Sequence, residues 1–214
     1  MYASSLTHTA TPYEWRIAYG ITPALAPGPI NLSQQVFFNL DGLKSNAKNT
    51  VLNHTLHLPS AGMRFGFDEV GLSTGDLFRN EKGKEFDFWS GPRKVEDGMK
   101  QKPESHLMCV DKASLNCGYD ETFLLSHKQK GNKDDSPAAI LSSPLSGITM
   151  KLYTDQDALH VHTWNEKNGE FTSCIKLIVD IQLTVVRSPE VEEDPRRGWG
   201  ASTWSNIYGV LRMA

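Results

Sequence analysis

The chain has 214 residues, a formal net charge of -3, 39% hydrophobic and 22% charged residues. That balance predicts no basic nucleic-acid surface and no polybasic membrane patch, and no run reaches the eighteen or so apolar residues of a membrane span. The length suits one domain, residues 1–214, with a substantial core.

From the N-terminus, residues 1–10 are polar and lack the apolar stretch of a secretory signal. Asn31-Leu32-Ser33 and Asn53-His54-Thr55 fit the glycosylation acceptor pattern, so cytoplasmic and secreted locations both stay open. Tyr13, Trp15, Ile17 and Tyr19 alternate with Glu14, Arg16 and Ala18, the period of a strand. In 51–58, Leu52, His54, Leu56 and Leu58 share one face. Residues 92–116 are mixed and receive no assignment. Ile148, Met150 and Leu152 alternate with Thr149, Lys151 and Tyr153. Residues 175–186 place Ile175, Leu177, Val179, Ile181, Leu183 and Val185 on one face. Pro27-Gly28-Pro29, Asp41-Gly42, Ser60-Ala61-Gly62, Gly91-Pro92 and Ser146-Gly147 mark turns between the strands. Residues 128–136 and 187–200 read as solvated loops. Short strands with frequent turns, and no long helical period, predict an all-β antiparallel sandwich.

Several side chains invite chemistry. Gly71-Leu72-Ser73-Thr74-Gly75 matches the GxSxG nucleophile elbow, but no helix pattern follows, so a plain turn is the better reading. His160 and His162, two apart on a strand, point to one face. They could hold a metal or a polyol, but no third ligand is evident, and zinc usually takes three or four. Ordinary polar packing is therefore expected, with no metal and no cofactor. His54 and His57 fall on opposite faces and read as structural or surface residues. Cys109 and Cys117 could form a local disulfide, and without CxxC spacing the three cysteines make no zinc site. Asp120, taken alone, is a turn aspartate.

Six segments, in order, resemble the aldose 1-epimerase (galactose mutarotase) family, above all its fungal members. Residues 29–42 (PINLSQQVFFNLDG) are similar to the family's PxNLTNHxYFNLDG, and 52–59 (LNHTLHLP) resemble a fungal segment of the same wording. Residues 73–77 look like PTGDL, 86–89 (FDFW) like FDFR or NDFW, 117–120 (CGYD) like GYD, and 152–159 like YTDQDA. The resemblance runs over about residues 13–165. Residues 184–214 diverge, and the pattern reads as one that begins partway through the family's, a truncated member.

The resemblance implies a galactose mutarotase-like supersandwich, incomplete at its N-terminus, and a free hexose as ligand. The implied reaction interconverts anomers: a carboxylate takes the anomeric proton, a histidine protonates the ring oxygen, and the ring opens and recloses. The GYD aspartate, Asp120, is implied to hold sugar hydroxyls. Gln35 stands where the family has a histidine, and an amide donates hydrogen bonds but not protons at neutral pH. Gln35 is thus a substrate-binding rather than a catalytic expectation. Ile178 stands where the family has its glutamate. Asp180, a substitute on the same face, is displaced by about 6.6 Å along a strand, well outside the tolerance of a catalytic constellation. The expectation is an impaired enzyme, with a non-catalytic carbohydrate-binding or interaction protein on the same fold, or a truncated gene product, as the rivals. Phe37, Trp89 and His160 are expected near the sugar.

Overall fold

The structure is a computed structural model that describes residues 2–8, 14–22, 32–34, 37–42, 51–68, 72–99, 108–109, 117–125, 136–154, 156–164, 176–183 and 205–213. The first strands are β1 (Tyr2–His8), β2 (Glu14–Thr22), β3 (Leu32–Gln34), β4 (Phe37–Phe38) and β5 (Thr55–His57). Then come β6 (Met63–Phe67), β7 (Ser73–Arg79), β8 (Arg93–Lys94) and the short helix α1 (Val95–Met99). Next are β9 (Met108–Cys109), β10 (Cys117–Gly118), β11 (Asp120–Leu124) and β12 (Ala139–Ser142). The last are β13 (Thr149–Thr154), β14 (Ala158–Trp164), β15 (Lys176–Leu183) and β16 (Ser205–Met213).

Two sheets carry nearly all of these strands. One runs β1-β2-β16-β13-β12-β5-β8, the other β3-β15-β14-β11-β6-β7 with β4 also on β15. Every pairing is antiparallel, in keeping with the period-two patterns. The all-β antiparallel expectation therefore holds, and α1 is the only helix among the described residues.

The alternation has a physical purpose, because each sheet turns one face inward. On the first sheet Leu56, Leu141, Met150 and Leu152 are buried, and on the second Phe123, Leu159 and Val161 are. They belong to one apolar cluster, completed by Phe86, Phe88 and Tyr119. Phe88 meets Tyr119 edge-on at 5.1 Å and Phe123 at 6.3 Å, arrangements that suit aromatic quadrupoles. In the FDFW segment Phe86 and Phe88 enter the core, while the indole N–H of Trp89 is tied to the Asn80 carbonyl at 2.9 Å.

Some elements differ from the sequence expectation. The regular strand in 51–58 is only β5, because His54 N–H bonds back to Val51 O at 2.9 Å and closes a turn first. Residues 92–116, unassigned from sequence, contribute β8, α1 and β9. Ser73 opens the extended strand β7, so it occupies no strand–turn–helix elbow. Cys109 and Cys117 stand directly opposite one another in the β9–β10 ladder.

Candidate functional site

The outer face of the second sheet collects the polar side chains. β11 alternates: Glu121 and Phe123 go inward, Asp120 and Thr122 outward. On β14, Leu159 and Val161 go inward, and His160 and His162 outward. The ladder sets Asp120 opposite His162 and Thr122 opposite His160. Directly paired residues share a face and lie side by side, so four polar side chains converge.

The Asp120 carboxylate binds both imidazoles through one oxygen. His160 Nε2 and His162 Nδ1 each lie 2.9 Å from Asp120 Oδ1. The other nitrogen of His160, Nδ1, is 2.9 Å from Thr122 Oγ1. The two rings are near parallel, 15° apart in plane with centroids at 6.3 Å. Thr122 is buried, whereas the Asp120 and His162 side chains are both 30% exposed, so the cluster meets solvent at one end. Burial raises the Asp120 carboxyl, but the hydrogen bonds and charge of His160 and His162 outweigh it. They hold the group well below the ordinary carboxylate range.

The inward face of the same strand has a different logic. Glu121 is buried, with Arg64 Nε 3.7 Å from its carboxylate. Burial pushes its carboxyl up to about 7 against the opposing charge of Arg64. Arg64 also lies over the Phe86 ring at 4.2 Å and donates to Asn80 Oδ1 at 3.0 Å. These contacts make it a core-supporting cation.

Asp120 therefore heads a cluster that the sequence left dispersed. The third partner that the two histidines lacked on paper is Asp120, forty residues upstream of His160. The ladder also fixes the positions of the β15 residues. Ile178 pairs with His162 on one side and Phe37 on the other, and Asp180 pairs with His160. One row thus runs Asp120, His162, Ile178, Phe37, and the next runs Thr122, His160, Asp180. Gln35 lies outside the described residues. His54 is fully buried and accepts the Leu40 N–H on Nε2 at 3.1 Å, and His57 lies on β5 opposite Ile140. Both are away from this row of pairings.

Residues 2–185 match the family model for aldose 1-epimerase. Epimerase FSL3 of Gibberella zeae is 52% identical over 179 residues, which are 77% of this chain and 41% of that protein. Aldose 1-epimerase of Escherichia coli is 28% identical over 169 residues, 79% of this chain and 44% of that protein. Among solved structures, the GalM/aldose epimerase homologue from C. elegans superposes with a TM-score of 0.62 at 18% identity. It covers 94% of this chain and 56% of its own. Galactose 1-epimerase from Lactobacillus acidophilus gives 0.58 at 16% identity, over 94% and 53%. The two sheets thus define an all-β protein with a galactose mutarotase-like fold. The chain belongs to the aldose 1-epimerase family, and it spans less than half the length of the two relatives it matches in sequence.

Proposed function

We propose that the face bearing Asp120, His160 and His162 binds a free hexose, and that the chain is an aldose 1-epimerase-like protein of impaired turnover. The observation that carries this reading is the Asp120 carboxylate, fixed between two imidazoles at 2.9 Å with its side chain 30% exposed to solvent. A carboxylate held in one orientation accepts hydrogen bonds from sugar hydroxyls without first losing rotamer freedom. Asp120 is also the aspartate of the GYD segment, the position at which the family resemblance implies a sugar-binding carboxylate.

The impaired turnover rests on residue type. Ile178, at the implied glutamate position, cannot take the anomeric proton, and Gln35 cannot deliver one to the ring oxygen. A missing acid or base each removes typically about 10²–10⁴-fold in rate, and the losses need not add. Asp180 stands in the next row from Ile178, opposite His160, so it is the carboxylate to test as a substitute. The rival reading, a carbohydrate-binding protein without turnover, is favoured by the same Ile178.

The test pairs polarimetry on freshly dissolved α-D-glucose and α-D-galactose with sugar binding followed by NMR. We expect binding that Asp120→Asn weakens, with weak acceleration of mutarotation. Binding with no acceleration at all selects the rival. Acceleration like that of a complete family enzyme sinks the impaired reading, and Asp180→Asn then shows whether Asp180 supplies the base. No binding of either sugar removes the hexose assignment.

A further inference from the structure

From the convergence of two imidazoles and a carboxylate on one sheet face, we propose that Asp120, His160 and His162 bind a divalent first-row transition ion. This goes beyond the hexose reading and does not rest on it.

The geometry is that of a three-donor facial site. Asp120 Oδ1 is 2.9 Å from His160 Nε2 and 2.9 Å from His162 Nδ1, and one donor atom from each residue lies within 4.8 Å of the others. Metal–nitrogen and metal–carboxylate bonds are about 2.0–2.2 Å long. Two donors at right angles on one ion are therefore about 2.9 Å apart, and two at a tetrahedral angle about 3.4 Å. The two carboxylate–imidazole spacings already match, and the imidazole nitrogens, within 4.8 Å of each other, reach that range by rotation of the part-exposed His162 side chain.

The donors come from rigid elements. His160 and His162 lie two apart on β14, and the ladder puts Asp120 on β11 directly opposite His162. The surroundings complete the pattern. A metal-bound imidazole usually gives its remote N–H to an oxygen acceptor. His160 Nδ1 has that partner in Thr122 Oγ1 at 2.9 Å, on the side away from Asp120. A hydroxyl both donates and accepts. Thr122 can therefore serve the tautomer in which His160 Nε2–H bonds Asp120, and equally the one in which Nε2 binds a metal. The Asp120 and His162 side chains are part exposed, so the remaining coordination positions open to water or to a ligand's hydroxyls. The donor set is nitrogen and oxygen without thiolate, which suits ions such as Zn²⁺, Mn²⁺ or Fe²⁺.

The experiment uses the full chain, stripped with a chelator and titrated with Co²⁺ in the absence of sugar. We expect visible d–d absorption that saturates at one equivalent, lacks the near-ultraviolet band of a thiolate ligand, and is displaced by Zn²⁺. Asp120→Asn and His162→Gln should each weaken binding by at least about tenfold, and Thr122→Val, which removes only the outer partner, by about tenfold. His162 is part exposed, so its variant stays folded if Asp120→Asn does not, and circular dichroism reports which. No absorption, a thiolate band, or titrations unchanged in the variants would overturn the proposal. Because no sugar is present, failure here leaves the hexose reading standing, and failure of sugar binding leaves this one standing.

Discussion

Gly98 lies on α1, where alanine would normally be preferred by about 1 kcal/mol. Here packing reverses that preference. A Cβ at this position would lie 1.9 Å from the Tyr119 hydroxyl and 2.4 Å from the Glu85 carbonyl oxygen. Tyr119 cannot step aside, because its hydroxyl bonds Glu85 O at 3.2 Å and Val95 O at 3.4 Å and its ring is wholly buried. Overpacking typically costs about 1–3 kcal/mol. Gly98→Ala should therefore lose about 2 kcal/mol in urea unfolding instead of gaining stability. Tyr119→Phe in that background should recover only part of the loss, since the clash with Glu85 O remains. Equal or greater stability for Gly98→Ala would show that α1 can shift away from Tyr119.

At the scale of elements, strand alternation makes a sharp comparison. On β12, Leu141 is fully buried, whereas its neighbour Ile140 is part exposed and pairs with His57. Leu141→Ala should cost about 2–5 kcal/mol through lost burial and the cavity left behind. Ile140→Ala should cost clearly less, and equal losses would mean that both faces of β12 are packed alike. The loop between β7 and β8 offers a second comparison. Asp87 accepts from Gly83 N–H at 2.6 Å, Ser90 N–H at 3.1 Å and the Ser90 hydroxyl at 2.7 Å. That loop delivers Phe86 and Phe88 to the core, so Asp87→Ala should cost about 2 kcal/mol or more. Protease cleavage between residues 80 and 91 should quicken with it, and unchanged cleavage would mean that the two phenylalanines alone hold the loop. The alternation was legible in the sequence because burial on one face writes itself as a period of two. The clustering of Asp120 with His160 and His162 was not. Spacing puts both histidines on one face, but only the β11–β14 pairing, across some forty residues, brings the carboxylate to them. Nothing local encodes which strand lies beside which. β8 and α1 were illegible for another reason: they are short, and tertiary contacts rather than periodicity define them.

Across the whole molecule, two buried groups should divide the acid loss of stability into separate windows. His54 Nε2 accepts the Leu40 N–H, so the ring's own proton sits on Nδ1, which has no hydrogen-bond partner and lies 3.9 Å from Asp41. Protonation would put a second N–H against that of Leu40. Burial lowers the His54 pKa from 6.5, and the Asp41 charge only partly opposes it. A folded value below the unfolded one means that the unfolded chain takes up protons first. The His54 contribution is therefore present above 6.5 and is lost as pH falls toward the folded value. For Asp87 burial acts upward, but its bonds to Gly83 and Ser90 and the charge of Arg93 carry the value below 3.8. Its contribution is present above 3.8 and disappears at more acid pH. His54 should thus pull urea midpoints down from about pH 6.5, against the opposing rise from Glu121, whose carboxyl burial raises to about 7, and a further decline should follow below about pH 4. In His54→Gln the amide oxygen can still accept from Leu40 N–H, so the variant should fold with a lower midpoint at neutral pH but a shallower first decline. Asp87→Asn should keep the first decline and lessen the second, which Asp120, also held well below the ordinary carboxylate range, shares. A His54→Gln profile parallel to that of the unaltered chain would remove His54 as the source of the first window.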